Sequence, residues 1–382
     1  MQRRGVLTLL GAAAVPGALA ACSSALPAEA VAAWRGPAEG GDVRLWLLGH
    51  AILAPHSHNL QSWLVDLQRP DEITLYCDRT RLLPETDPLA RQIMMSQGTF
   101  LELLDLAARQ KGLRADIELF PQGDFGAGPP DARPTARVRF SPDAAVRPDP
   151  LFGQILARHT NREAYLARAP VAADVEVIAA SVAPHTVRTG FAGASNPAAL
   201  ELHRAIAAEA WRVELTTPRT VMESYRVLRV GPDEIAQHRD GLSLNAPMLR
   251  AMTALGLFDR TRAPAPDDYA TTSQLEDFNE KLQATPAFFW LVTEGNDRRT
   301  QVNAGRAYVR AQLAATARGL AMQPLSQALQ EYPEMAGPYA RIHALLQAPA
   351  PRFTVQMWTR LGYAPAVGPS PRRGVQAHLM RA

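Results

Sequence analysis

Residues 54–63 read Ala-Pro-His-Ser-His-Asn-Leu-Gln-Ser-Trp, and far along the chain residues 158–162 read Arg-His-Thr-Asn-Arg. The first stretch gathers imidazole and amide groups behind a proline, the composition of a loop that lays polar atoms and backbone along a flat heteroaromatic ring. The second sets two guanidiniums and a hydroxyl within one or two helical turns, and forked, charged donors match the oxygens of a phosphate. His56, Ser57, His58, Asn59 and Gln61, with Arg158, Thr160, Asn161 and Arg162, therefore describe a site for a ring cofactor with a phosphate tail.

Outward from these stretches the elements recur in a fixed grammar. Residues 43–53 are apolar at helical spacing and must stop at Pro55. Residues 63–67 and 73–77 read as strands around a polar turn. Residues 89–112 predict a helix with Ile93, Phe100, Leu104 and Ala108 on one face and Gly112 as its stop. Strands at 116–120 and 135–140 flank a Gly/Pro-rich loop, and the prolines at 148 and 150 mark a boundary. Beyond it come helix 151–157, the arginine cluster, helix 172–181, strand 185–191, helix 197–211, strand 287–293, helix 302–319, a turn at 322–327 and strand 354–358. Residues 218–270 fit the rhythm poorly and read as an insertion. The pattern predicts an α+β chain of two halves, 41–147 and 148–382, related by a diverged duplication rather than a short repeat.

The N-terminus carries Arg3-Arg4, an apolar Ala-rich run and Leu19-Ala20-Ala21-Cys22. This is the pattern of an export signal over residues 1–22, too short for a permanent anchor. The paired arginines resemble a twin-arginine signal, which delivers proteins already folded. The last four residues resemble a bacterial lipobox that would make Cys22 the acylated first residue of the mature protein. The expectation is an exported protein, lipid-anchored to a membrane, with residues 23–40 as tether. Only Cys22 and Cys77 are present, so acylation of Cys22 leaves no intramolecular disulfide. The formal net charge of +3 includes the two signal arginines, and nothing points to a nucleic-acid partner.

Ala54-Pro55-x-x-His58-Asn59-x-Gln61-x-Trp63 resembles the A-P-S-x-H-N-x-Q-P-W loop of nitroreductase-like flavoproteins, and Arg158-x-Thr160-x-Arg162 resembles their R-x-S/T-x-R phosphate motif. Residues 319–327 are similar to the segment that passes the flavin edge, placing Pro324, Leu325, Ser326 and Gln327 there. Residues 360–365 with Arg372 and Arg373 are similar to the closing strand and basic tail. The fused, double-length Acg-like subgroup matches best, because the loop occurs only in the first half and the phosphate motif only in the second. The resemblance implies a nitroreductase-like α+β fold of two fused half-domains, an intramolecular pseudo-dimer with one FMN at the junction. It implies reduction of a nitroaromatic, quinone or similar small-molecule acceptor, with an unresolved electron donor, no catalytic acid or base, a monomeric unit, and residues 218–270 as a lid. The alternative from another class is an FMN-storing lipoprotein that does not turn over. Two departures stand out: His56 replaces the family's Ser, and Ser62 replaces its Pro.

Rival chemistries have weaker support. His56-x-His58 offers two imidazoles, but no acidic or Cys cluster beside it completes a metal shell. Ser57 and His58 are sequence neighbours outside any Gly-x-Ser-x-Gly elbow. No Gly-rich dinucleotide fingerprint follows a strand.

Overall fold

Short polar turns and two matched 20-residue helices, Arg91–Gln110 and Arg298–Ala317, sort the chain into a pattern used twice. The computed structural model describes residues 24–380, so Arg3, Arg4 and Cys22 lie outside the described residues. The first half runs α1 (Val43–Ala51), β1 (Trp63–Asp66), β2 (Glu72–Cys77), α2 (Arg91–Gln110), β3 (Leu113–Leu119) and β4 (Ala136–Pro142). The second begins with α3 (Ala172–Ala180) and β5 (Arg188–Ala192). A block follows of α4 (Pro197–Thr216), α5 (Pro218–Arg226), β6 (Leu228–Val230), α6 (Gly231–His238), β7 (Leu242–Leu244), α7 (Pro247–Ala254) and α8 (Tyr269–Gln283). It ends with β8 (Ala287–Glu294), α9 (Arg298–Ala317), β9 (Ala321–Pro324), α10 (Ala336–Leu345) and β10 (Phe353–Gly362). The large sheets are ordered β1-β2-β4-β3 and β5-β8-β10-β9, with every neighbouring pair antiparallel. One strand order serves both halves.

The halves meet where α2 and α9 cross. Both helices have 20 residues, and Gly98 and Gly305 are each the eighth residue of their helix. A Cβ on Gly98 would lie 1.9 Å from the Val302 carbonyl oxygen, and one on Gly305 would lie 1.9 Å from that of Met95. Met95 and Val302 are in turn the fifth residues of the two helices. The contact reads the same from either side, as an isologous two-fold interface does between subunits, and only glycine lets the backbones come so close. Each helix then stops at a left-handed glycine, Gly112 and Gly319, both at φ 67°.

Several boundaries differ from the sequence reading. Helix α9 starts at Arg298 because Asp297 caps it, its side chain accepting from Thr300 N at 2.7 Å. The helix expected at 151–157 is only a 3-10 turn, Pro150–Gln154. The inserted block extends beyond 218–270 in both directions, since α4 and α8 pack on one another through Trp211 and Phe278, ring centroids 5.4 Å apart. Within the expected tether 23–40, residues 24–40 are not free chain. The segment Ala32–Arg35 is a 3-10 turn, Trp34 is buried, and Ala30 O accepts from Arg372 N at 2.8 Å. The C-terminal tail crosses back to the first half, where Leu379 bridges Val65 and Met380 N donates to Val65 O at 2.8 Å.

Candidate functional site

Pro55 ends α1, and the chain turns through three non-glycine residues in the left-handed region, His58 (φ 47°), Asn59 (φ 54°) and Gln61 (φ 55°). Such conformations persist only where surroundings impose them. Here Thr99 Oγ1 donates to Pro55 O at 2.7 Å, Ser96 Oγ accepts from Ser57 N at 3.2 Å, and Gln97 Nε2 donates to Ser62 O at 2.8 Å, all from α2. His56, which stands where the resembled loop motif has Ser, bonds within the loop itself. Its Nε2 accepts from Ser62 N at 3.1 Å and lies 2.6 Å from Ser62 Oγ, so Nδ1 carries the proton and donates to Ser57 O at 2.7 Å. The two residues that depart from the resembled motif, His56 and Ser62, thus bond to each other. Burial pushes His56 down to about 3, and burial followed by the charge of Arg162 pushes His58 down to about 4. Both imidazoles are neutral near pH 7.

The second stretch lies beside β9. Thr160 bridges Met322, and Asn161 N donates to Met322 O at 3.2 Å, which brings 158–162 to the segment leading into Ser326. Arg158 donates to Gln312 Oε1 and to Leu53 O, each at 3.0 Å, the latter at the root of the first-half loop. Arg162 is exposed, yet the protein packed around its guanidinium lowers its pKa, and Tyr308 and Tyr165 stand beside it. Its charge is felt by His58 of the first half. Arg372 joins this group, donating to Leu53 O at 3.4 Å, to Ala54 O at 3.1 Å and to Asn59 Oδ1. Trp34 lies 5.6 Å from the Arg158 guanidinium and 5.2 Å from that of Arg372. A chain of contacts spans the cleft, with Ser57 Oγ donating to Gln92 Oε1 at 3.3 Å and Gln92 Nε2 donating to Ser326 O at 3.5 Å.

The charges here are uncompensated. Burial pushes Arg158 down to about 10 and Arg372 well below its usual value, and neither they nor Arg162 have a carboxylate partner among the described residues. Buried donors are also left over: Arg158 Nε, Arg372 Nε and Gln312 Nε2, with the Tyr308 hydroxyl. Buried polar groups are rarely orphaned, and a concentration of them calls for a partner. Cationic donors of this geometry fit a phosphate.

Other expected residues serve the frame instead. The Gln61 side chain is fully buried, donating to Arg239 O at 2.9 Å and accepting from Arg373 N at 2.9 Å. Arg373 is spent on Gln61 O at 2.5 Å and stands among Arg81, Asp240 and Asp78, so of the two tail arginines only Arg372 joins the Arg158 group. Asn161 donates to Pro365 O at 2.7 Å. Leu325 is in the core, its N–H bonded to Trp358 O at 2.8 Å. Gln327 turns its amide to Glu214, a buried acid that burial pushes up to about 7. Sequence reasoning missed Trp34, Gln92, Tyr308 and Gln312. An aromatic in the otherwise small-residue stretch 23–40 was the one available signal.

The inserted block grips the loop. His58 Nε2 lies 3.2 Å from Ser224 Oγ, Gly241 N donates to Asn59 O at 3.1 Å, and the Glu223 carboxylate accepts from Glu85 N, Thr86 N and Thr86 Oγ1 at 2.9, 2.8 and 2.6 Å.

The internal two-fold generates a second cleft, of about 600 Å³, lined by Pro184, His185 and Thr186. Ala183-Pro-His-Thr186 repeats Ala54-Pro-His-Ser57. Helix positions correspond as well: Asp105 is the fifteenth residue of α2 where Gln312 is the fifteenth of α9, and Arg306 is the ninth of α9 where Thr99 is the ninth of α2. This cleft neutralises itself. Glu102 accepts from Arg310 Nη1 and Arg306 Nε, both at 2.8 Å, and lies 3.2 Å from His185 Nε2, while Arg310 Nη2 reaches Asp149 at 2.8 Å. Burial alone would raise Glu102, but the hydrogen bond to His185 and the charges of Arg306 and Arg310 hold it at about 2.

The chain is 26% identical over 330 residues to the "Putative NAD(P)H nitroreductase" of Mycobacterium tuberculosis strain H37Rv, covering 85% of this chain and 87% of the relative, and matches the same protein of strain CDC 1551 equally. No family profile matches it. Solved structures to which it is similar include an FMN-bound nitroreductase of Bacteroides fragilis (15% identity, 59% of this chain and 96% of that one, TM-score 0.35). Another is the FMN-dependent nitroreductase NfnB of Mycobacterium smegmatis in complex with NADPH (19%, 60% and 96%, TM-score 0.36).

Proposed function

We propose that this chain is an FMN-dependent oxidoreductase of the nitroreductase type, holding one FMN between residues 54–59 and 158–162. The observation that carries the reading is buried Arg158 and Arg372 with exposed Arg162 beside them, all without a carboxylate partner among the described residues, next to orphaned donors on Arg158, Arg372, Gln312 and Tyr308. When bound, FMN supplies the hydride and electron transfer.

The chain's residues bind, orient and enclose. Arg158 and Arg162 hold the phosphate, with Arg372 bracing the loop root against them. His56 to Asn59 present backbone and a neutral His58 to the ring, so no fixed positive charge competes there with that of Arg162. The Ser57–Gln92–Ser326 contacts set the spacing between the loop and the edge of β9. The inserted block, bonded to His58 and Asn59, covers the loop and acts as the lid, excluding water from the ring. A reduced nicotinamide, the donor in the relatives' name, and a small nitroaromatic or quinone acceptor complete the cycle. One chain provides both halves of the site, so the working unit is a monomer. The protein is exported and held to a membrane through acylated Cys22.

The test is flavin content and turnover of the purified mature protein. A yellow protein whose flavin is reduced by NADPH and reoxidised by a quinone supports the reading. A protein that neither carries nor takes up FMN overturns it.

A further inference from the structure

The solvent face of α7 is apolar along its length. Pro247, Met248, Ala251, Ala254 and Leu255 recur at helical spacing and all are exposed, while Leu249, Met252 and Thr253 turn inward. Met248 and Leu255 are each 73% exposed, and Leu257, just past the helix, is 68% exposed. Amphipathic helices ordinarily bury such a face. A contiguous outward patch marks a surface that meets something.

Its position relative to the N-terminus names the occupant. Ala25 O accepts a 2.7 Å hydrogen bond from Asn245 Nδ2. Asn245 is buried and stands two residues before α7. Cys22 is three residues before Ala25, a stretch that reaches at most about 10 Å even when fully extended. We propose that the exposed face of α7 with Leu257 rests in the interfacial layer of the bilayer that holds the acylated Cys22, so that the enzyme sits on the membrane in one orientation. The inference rests on the lipoprotein reading above.

A second copy of the chain is a poorer occupant. A helix of eight residues is about 12 Å long, and its face is far smaller than the roughly 800 Å² per partner of a stable interface. An apolar helix face lying in the headgroup layer needs no such area once a covalent lipid holds it there.

The experiment uses the natively processed, full mature chain carrying Leu255→Cys with a polarity-sensitive fluorophore. Cys77 is buried and does not compete for the label. The same label at Arg69→Cys, on the β1–β2 turn, is the reference. In vesicles of phosphatidylethanolamine and phosphatidylglycerol, emission from position 255 shifts to the blue and position 69 does not. Adding Met248→Glu and Leu257→Glu cuts that shift by at least half while flavin content, which reports folding, is unchanged. Emission at 255 that stays water-like, that matches position 69, or that shifts with protein concentration in the absence of vesicles overturns the proposal. The mass of the N-terminal peptide separates the two failures. Acylated Cys22 with a water-like label sinks the docking alone, whereas unmodified Cys22 removes the lipoprotein reading and the docking with it.

Discussion

Two clefts flank the crossing of α2 and α9, built on the same backbone and related by the same two-fold, and they treat charge in opposite ways. On one side buried Arg158 and Arg372 and exposed Arg162 stand with no acid to meet them among the described residues. On the other, Arg306 and Arg310 close on Glu102, with Asp149 and Asp105 in range. A buried charge must be compensated, by the protein or by something it binds. The difference teaches that two clefts on one repeated backbone need not match: one leaves its guanidiniums without an acid among the described residues, and the other pairs them internally.

The sharpest way to break this comparison is to remove the uncompensated charges. Arg158→Ala with Arg162→Ala deletes charge-assisted hydrogen bonds of about 1.5–3 kcal/mol each. FMN affinity by fluorescence titration then falls at least about a hundredfold, whereas Arg306→Ala leaves it within a few-fold. Next is Glu102→Ala, which strands Arg306 and Arg310 and costs about 3–5 kcal/mol in urea unfolding, with flavin stoichiometry unchanged. Gly98→Ala attacks what both clefts share. Its methyl would overlap the Val302 carbonyl oxygen, and a loss of about 3 kcal/mol or more is expected in the same assay, with flavin lost as the halves part.

The smallest effect is that of pH. His56 and His58 are held below their ordinary 6.5, at about 3 and about 4. The unfolded chain therefore takes up their protons first, and stability is lost as pH falls from 6.5 toward those values. Glu102, held at about 2 against 4.5, contributes stability above pH 4.5 that is lost below it, about 2 kcal/mol by pH 3. Unfolding curves of wild type and Glu102→Gln should run parallel above pH 5 and converge below 4.5. The histidines are common to both proteins and cancel in the difference, so a convergence that begins near pH 6.5 would contradict the lowered pKa of Glu102.

The loop at 54–63 and the arginines at 158–162 were legible because each is a local cluster whose chemistry needs no partner to be recognised. Strands β1, β2, β4 and β8 were legible from alternation and turns. Gln61, Asn161 and Arg373 were not legible as frame residues, because their side chains bond to backbone brought from elsewhere: Arg239 O, Pro365 O and Gln61 O. Gln312 and Tyr308 were silent because helical spacing reads them as core or surface, and only the crossing at Gly98 and Gly305 aims them at the cleft. The second Ala-Pro-His, at 183–185, was visible in the sequence but carries no Asn-x-Gln after it. Its meaning emerged only once the two-fold was in view.

The most direct measurement is the amount of FMN released by heat per mole of natively purified chain. The two-cleft reading predicts about one, still about one in Glu102→Gln, and close to none in Arg158→Ala/Arg162→Ala. Two flavins per chain, or a flavin lost with Glu102 and kept without the arginines, would contradict it.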